Sequence, residues 1–269
     1  MRTAIVTGAS SGIGRAVATR LTAAGYRVIG TSRNSSTVVD PADGVEFWDL
    51  DLTDSTSIAD FAKSLDGIDV DVLVNNAGES QCGPLEQLPI DAINRLFQLN
   101  VIGSIDLIQR VLPGMRARRR GTIVNVGSML ASFPLAYRSS YVATKAAIKG
   151  FSTAAREELA PFGIDITTVE PGSINTKLSE RRTKYISEGS PYAAAFTKTI
   201  GILDTKEAEG ITPEKVAATV LRAIEDETTL PLYAVGSRAP LVFTAQRLLP
   251  RRVIESIMAK SYGTRTGSA

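Results

Sequence analysis

"TAIVTGASSGIGRAVATRL", Thr3 to Leu21, runs from an apolar stretch through a cluster of glycines into a helix-favouring stretch. Gly8, Gly12 and Gly14 fall where the first stretch ends and the last begins. An ordinary tight turn between a strand and a helix needs one glycine. Three allow backbone N–H groups to approach a pyrophosphate, whose charge the helix N-terminus favours. The stretch predicts a strand, a phosphate-binding loop with Ser10, Ser11 and Ile13 between its glycines, and a first helix. The spacing is G-x-x-x-G-x-G, not the more familiar G-x-G-x-x-G.

The rest of the chain repeats this alternation. Short apolar runs stand at "YRVIGTS" (26–32), "VEFWDL" (45–50), "VDVLVNNAG" (70–78), "GTIVNVGS" (121–128), "IDITTVEPG" (164–172) and "LPLYAVG" (230–236), separated by helix-length amphipathic stretches. Continuous Val/Ile runs suit strands covered on both faces. The expectation is a Rossmann-type, doubly wound parallel sheet in a three-layer α/β/α sandwich. No repeat, linker or low-complexity segment divides residues 1–269, so one domain is expected, with an insertion over about 173–212 and a C-terminal extension over about 237–269. The terminal "GTRTGSA" reads as a frayed end.

Composition excludes several chemistries. The 269 residues are 43% apolar and contain no histidine. A Ser-His-Asp hydrolase would lack its base and a zinc dehydrogenase its ligands, so no metal site is expected and proton transfer must come from carboxylates, Lys or Tyr. The net charge of +2 implies no electrostatic partner, and the basic run "RARRRG" (116–121) reads as a solvated helix end, not a nucleic-acid surface. One cysteine, Cys82, cannot form an internal disulfide, and the chain enters "TAIVTG" without a signal-peptide succession. A cytoplasmic setting is expected. No apolar run approaches the roughly 18 residues that span a bilayer.

The end of the second strand selects the cofactor. An NAD site has an acidic residue about 20 positions beyond the glycines to hold the ribose 2′-hydroxyl. Here the sequence reads "GTSRN", with Ser32 and Arg33 and no acid. A guanidinium pairs with a 2′-phosphate that a carboxylate would repel, so NADP(H) is favoured, with NAD(H) as the alternative.

"SSYVATKAAIKGF", Ser139 to Phe151, places Tyr141 and Lys145 four residues apart in a helix-favouring run. At that spacing both side chains share one face. With seven tyrosines and nine lysines, chance alone supplies about 0.23 such pairs, so the pair needs support from elsewhere in the chain.

That support is a set of ordered motifs. "TGASSGIG", "NNAG" (75–78), Asn100 in "QLNVIG", Ser128 in "VNVGS" 13 residues before Tyr141, "YVATK" and "PGSINT" (171–176) together resemble the short-chain dehydrogenases/reductases across nearly the whole chain. The resemblance implies that Asn100, Ser128, Tyr141 and Lys145 are catalytic. It also implies that Asp51 and Leu52 line an adenine pocket. Asn76, Ala77 and Gly78, with Pro171, Gly172, Ile174 and Thr176, would border the ribose and nicotinamide. Many NADP-preferring members carry a basic residue in the glycine loop where this chain has Ser11, and Arg15 follows the motif.

By the same resemblance, a carbonyl is reduced by hydride while Tyr141 gives its proton to the oxygen and Ser128 hydrogen-bonds that oxygen. A free tyrosine titrates near 10, and a neighbouring ammonium favours its phenolate. Lys145 would also hold the nicotinamide ribose, and Asn100 would position a water linking Lys145 to solvent. The insertion carries Tyr192, Phe196, Ile200 and Leu203 at near-helical spacing. That stripe suits a lipophilic substrate, steroid-, retinoid- or acyl-like, or simply packs on the core. A reductase of 3-oxoacyl groups on a carrier protein is the nearest alternative, with Arg181, Arg182 and Lys184 as its basic mouth. From another class, the chain could be a non-catalytic NADP sensor. The segment "PLVFTAQRLLPRRVIESIMAKSYG" has the composition of an interfacial helix, but Pro250 interrupts it and a pocket-flanking or subunit-contact role is preferred. A homodimer or homotetramer is implied by the resemblance.

Overall fold

The computed structural model describes residues 1–176 and 180–264. Residues 177–179 of the insertion and the last five residues of the frayed end lie outside the described residues.

Seven parallel strands form the main sheet: β1 (Thr3–Val6), β2 (Arg27–Ser32), β3 (Val45–Asp49), β4 (Val70–Asn75), β6 (Gly121–Val126), β7 (Ile164–Pro171) and β9 (Leu232–Val235), in the order β3-β2-β1-β4-β6-β7-β9. Each of the seven apolar runs supplies one of them. Between β4 and β6 lies a two-residue strand the sequence reading did not anticipate, β5 (Gln81–Cys82), which pairs in parallel with β8 (Thr183–Lys184) of the insertion.

Alternation along the strands builds two cores. Ala4 and Val6, Val28, Val72 and Val74, and Val124 and Val126 face one layer with helices α1 (Gly12–Ala23) and α7 (Pro213–Glu225). Ile5, Ile29, Leu73 and Ile123 face the other, with α2 (Ser55–Ser64) and α4 (Gly103–Arg118). The period of two is what a pleated strand requires. Asp71 breaks it: the register slips between Thr3 and Ala4, and the Asp71 carboxylate accepts the Thr3 amide at 2.8 Å and pairs with Arg120 at 2.6 Å. Helix α3 (Ile90–Phe97) runs into a π-helical segment, Gln98–Ile102, before α4, and π segments recur at functional positions.

The long helix α5 (Ser139–Leu159) is fixed to the sheet by buried amides. Asn75 at the end of β4 donates to Asn125 Oδ1 of β6 at 2.9 Å, and Asn125 Nδ2 donates to Ser152 Oγ of α5 at 2.8 Å. The Ser152 hydroxyl in turn donates to Ile148 O at 2.7 Å. This chain sets the height of α5 against the strand ends, and with it the position of Tyr141 and Lys145. The insertion leaves and re-enters the body at one point, where Asn175 N donates to Ile211 O at 2.9 Å and Ile211 N to Ser173 O at 3.0 Å. It carries α6 (Ala193–Ala208), and beyond β9 come α8 (Ala239–Leu248) and α9 (Arg251–Ser261). Among the described residues no helix is long and apolar enough to cross a membrane.

Asn125→Ala strands the amide of Asn75 without its acceptor, so it should lower the unfolding free energy by about 2 kcal/mol. Urea unfolding checks this: a lower midpoint at unchanged slope is expected, and an unchanged midpoint would remove the amide chain as a determinant of α5.

Candidate functional site

The sheet order reverses between β1 and β4, and ligands of doubly wound sheets bind outside the strand ends at that point. A cleft of about 1340 Å³ opens there. Its floor is the glycine loop. A β-carbon on Gly14 would lie 2.2 Å from the Gly8 carbonyl oxygen and 2.4 Å from Asn76 Nδ2, so only glycine lets α1 start this close to β1. Gly12, at φ +55°, meets nothing closer than a Thr176 methyl at 3.9 Å, which leaves its backbone open to a ligand. Thr7 locks the loop to β4: its hydroxyl oxygen accepts the amides of Asn76 and Ala77, both at 3.0 Å, while Asn76 Nδ2 donates to Thr7 O at 2.9 Å. The Asn76 side chain therefore holds the loop while it borders the cleft. Gly8, Ser10, Ser11, Gly12 and Ile13 line the floor and Gly14 lies beneath it.

At the ends of β2 and β3, Arg33 and Asp51 both reach the cleft, with Leu52 beside them. Burial works against the Asp51 charge, but the Thr53 hydroxyl and amide, at 2.7 and 2.8 Å, and the nearby Arg33 and Arg95 hold its carboxyl below the ordinary range. Arg15, the other basic residue near the loop, is paired with Asp40 at 2.5 Å.

The far wall carries the α5 residues. Tyr141 and Lys145 are both buried and both border the cleft. Lys145 Nζ donates to Val126 O at the end of β6, 2.9 Å away, and lies 5.8 Å from the centre of the Tyr141 ring. Ser128 stands two residues past β6. Its oxygen accepts the Leu130 amide at 3.2 Å, capping a short 3-10 turn, which leaves the hydroxyl hydrogen to donate elsewhere. Asn100 sits in the π-helical segment behind the wall and does not line the cleft. Its Oδ1 accepts the Glu79 amide at 2.9 Å, and its Nδ2 reaches Glu79 O at 3.0 Å and Thr144 Oγ1 at 3.2 Å. Its side chain clamps the "NNAG" turn onto α5. Ala77, Gly78, Pro171, Gly172, Ile174 and Thr176 complete the border.

The insertion corrects one expectation. Arg182 does not stand at a basic mouth: it is 5% exposed, its guanidinium paired with Asp204 and Glu207 of α6 at 2.5 Å each, and Lys184 also leans on Asp204 at 3.6 Å. Two of the three cations expected at that mouth are thereby engaged by carboxylates, while the exposed Arg181 lines the cleft. Phe196, Ile200 and Leu203 pack into a buried cluster with Cys82, Leu135 and Tyr262. Of that stripe only Leu203 reaches the cleft, whose outer part is lined by Met129, Leu130, Phe133, Val242 and Met258.

Several residues here carried no readable signal in the sequence. Thr7, Glu79, Thr144 and Arg138 take their positions from contacts more than 60, 20, 40 and 50 residues away in the chain.

Comparison with known proteins agrees with this geometry. Residues 2–186 match the family model described as short chain dehydrogenase. The uncharacterized oxidoreductase YusZ of Bacillus subtilis is 34% identical, over 96% of this chain and 97% of its own. A 3-ketodihydrosphingosine reductase of Bacteroides thetaiotaomicron is 29% identical, over 97% and 98%. The crystal structure of a short-chain dehydrogenase from Streptomyces avermitilis superposes with a TM-score of 0.81 at 36% identity, covering 98% of each chain. A Rossmann-type sheet with a glycine loop at its switch point, and a Ser, a Tyr and a Lys on the opposite wall, are thus joined by a family match over residues 2–186 and by relatives alike over nearly the whole chain: the chain belongs to the short-chain dehydrogenase/reductase family.

Proposed function

We propose that the protein is an NADP(H)-dependent oxidoreductase that interconverts a carbonyl and a secondary alcohol on a lipophilic substrate. The carrying observation is that Ser128, Tyr141 and Lys145 border one cleft with the open glycine loop at its other end. The bound nicotinamide nucleotide supplies or accepts the hydride. The Gly8–Gly14 loop would hold its pyrophosphate, Asp51 and Leu52 its adenine side, and Ile174 and Thr176 its nicotinamide side.

The chain's own residues handle the proton. In reduction, Tyr141 passes its hydroxyl proton to the substrate oxygen, and the free hydrogen of Ser128 donates to that oxygen as charge builds on it. The Lys145 ammonium, fixed by Val126 O, favours the phenolate left behind. Asn100 keeps Glu79 and α5 in register.

Arg33 supports the phosphorylated cofactor. It borders the cleft where no carboxylate hangs from the end of β2, and Asp51 is already committed to Thr53. The lipophilic reading rests on Met129, Leu130, Phe133, Val242 and Met258, and the Bacteroides relative, named for a sphingoid ketone, points the same way.

The deciding assay is oxidation of NADPH and NADH by the purified protein with a series of short- and long-chain ketones. NADPH-dependent turnover that rises with chain length is expected, and turnover confined to small polar carbonyls would reject the lipophilic reading. Tyr141→Phe should lower kcat by about 10²–10⁴-fold with NADPH affinity nearly unchanged. Near-normal turnover in that variant overturns the assigned role. Arg33→Asp should weaken NADPH binding by about tenfold or more while sparing NADH, because it replaces a charge-assisted pair with repulsion. An unchanged ratio of the two affinities would remove Arg33 from cofactor selection.

A further inference from the structure

Arg138, immediately before α5, is one of the largest fully buried side chains of the protein, at 2% exposure. A buried guanidinium ordinarily has a carboxylate partner, because removing the charge from water is costly. Among the described residues Arg138 has none within ion-pair distance. Nη1 donates to Ser80 Oγ and to Gln81 O, both at 2.9 Å, and Nε is buried without a partner. Its guanidinium carbon instead lies 4.3 Å from the centre of the Tyr141 ring, closer than the Lys145 ammonium at 5.8 Å.

The surrounding charges do not supply the missing anion. Burial presses the Arg138 proton affinity down and the neighbouring Arg182 adds to that, against the smaller opposing pulls of Tyr141, the Cys82 thiol and Glu207. Arg182 itself is taken up by Asp204 and Glu207, and Glu79 is paired with Arg95 at 2.7 Å. An arginine keeps its charge in such a place. The group beside it that would become negative during the proposed reaction is Tyr141.

We propose that Arg138 is a positioning residue for Tyr141: stacked on the ring, it fixes the phenol's orientation and, with Lys145, offsets the negative charge left when the proton moves to the substrate oxygen. This inference rests on the proton-donor role assigned to Tyr141. No new bond is made or broken; the proton still passes from Tyr141 to the oxygen, and the guanidinium keeps all of its own.

The same arginine ties the tyrosine to the insertion. Ser80, which accepts from Arg138, also accepts the Thr183 amide through its carbonyl at 3.1 Å, and Gln81 pairs with Thr183 across β5 and β8. Seating of residues 183–185 and placement of the guanidinium thus share one stretch of backbone.

Arg138→Met and Arg138→Lys separate this role from its rivals, assayed with NADPH and a long-chain ketone and, without substrate, by tyrosinate absorbance. The absorbance of a matched variant carrying Tyr141→Phe is subtracted. Met should lower kcat by about tenfold or more with KM and NADPH affinity within about twofold, whereas Lys, which keeps the charge, should recover most of kcat. At one fixed alkaline pH the Tyr141 share of the tyrosinate signal should fall in Met and persist in Lys. An unchanged kcat and signal in Met overturns the proposal, as does a rise in KM alone, which would make Arg138 a substrate anchor. Equal losses in Lys and Met with weakened NADPH binding would mark a purely structural role and overturn it too. If Met does not fold, Ser80→Ala, which removes one guanidinium anchor, must lower kcat without raising KM or the idea fails. Normal turnover in Tyr141→Phe alone would instead refute the underlying proton-donor role.

Discussion

Between Gly8 and Gly14 there is no room for one more carbon, and much of the cleft depends on that. Because the first turn of α1 lies against the Gly8 carbonyl and the Asn76 amide, β1, the loop and the end of β4 form one rigid piece. Thr7 closes the piece from below by accepting two successive amides of the β4 turn. Everything that borders the cleft from β4 onward, including Gly78 and the Glu79 backbone that Asn100 clamps, is positioned relative to this joint. A dinucleotide longer than the loop itself needs such a fixed frame, since its two ends must meet residues from opposite halves of the sheet.

The cleft holds no histidine, and its charges come from other groups. Positive charge comes from Arg33 at one end and from Lys145 and Arg138 at the other, each held by different means: exposure, a strand carbonyl and a ring face. Carboxylates near these groups already have partners of their own. Asp51 is bound by Thr53, Glu79 by Arg95, and Glu207 and Asp204 by Arg182. A cation thus stands at each end of the cleft, as the proposed phosphorylated cofactor and the proposed proton transfer require.

Much of the fold was legible in the sequence because burial on both faces forces continuous Val/Ile runs, and all seven strands of the main sheet announced themselves that way. Tyr141 and Lys145 were legible by spacing on one helix. What escaped was whatever depends on distant contacts. β5 and β8 are two residues each, too short to show any period. Arg182 looked like surface charge because nothing in "RRTK" foretells the carboxylates 22 and 25 residues later. Arg138 was overlooked for the same reason, and the Asn100 side chain takes partners 21 and 44 residues away, Glu79 and Thr144, that no local pattern foretells.

The pairing of β5 with β8 also gives the molecule a built-in gauge. Cys82, the chain's one cysteine, is fully buried beneath that pairing, and its carbonyl accepts the Tyr185 amide at 2.9 Å. Burial pushes its thiol up, away from the reactive thiolate. Alkylation of the native enzyme can therefore proceed no faster than residues 183–185 lift from β5 or the cluster around Cys82 opens. The rate at which that sulfur is modified would report any lifting of residues 183–185 from β5, and a ligand that held the pairing closed would lower it.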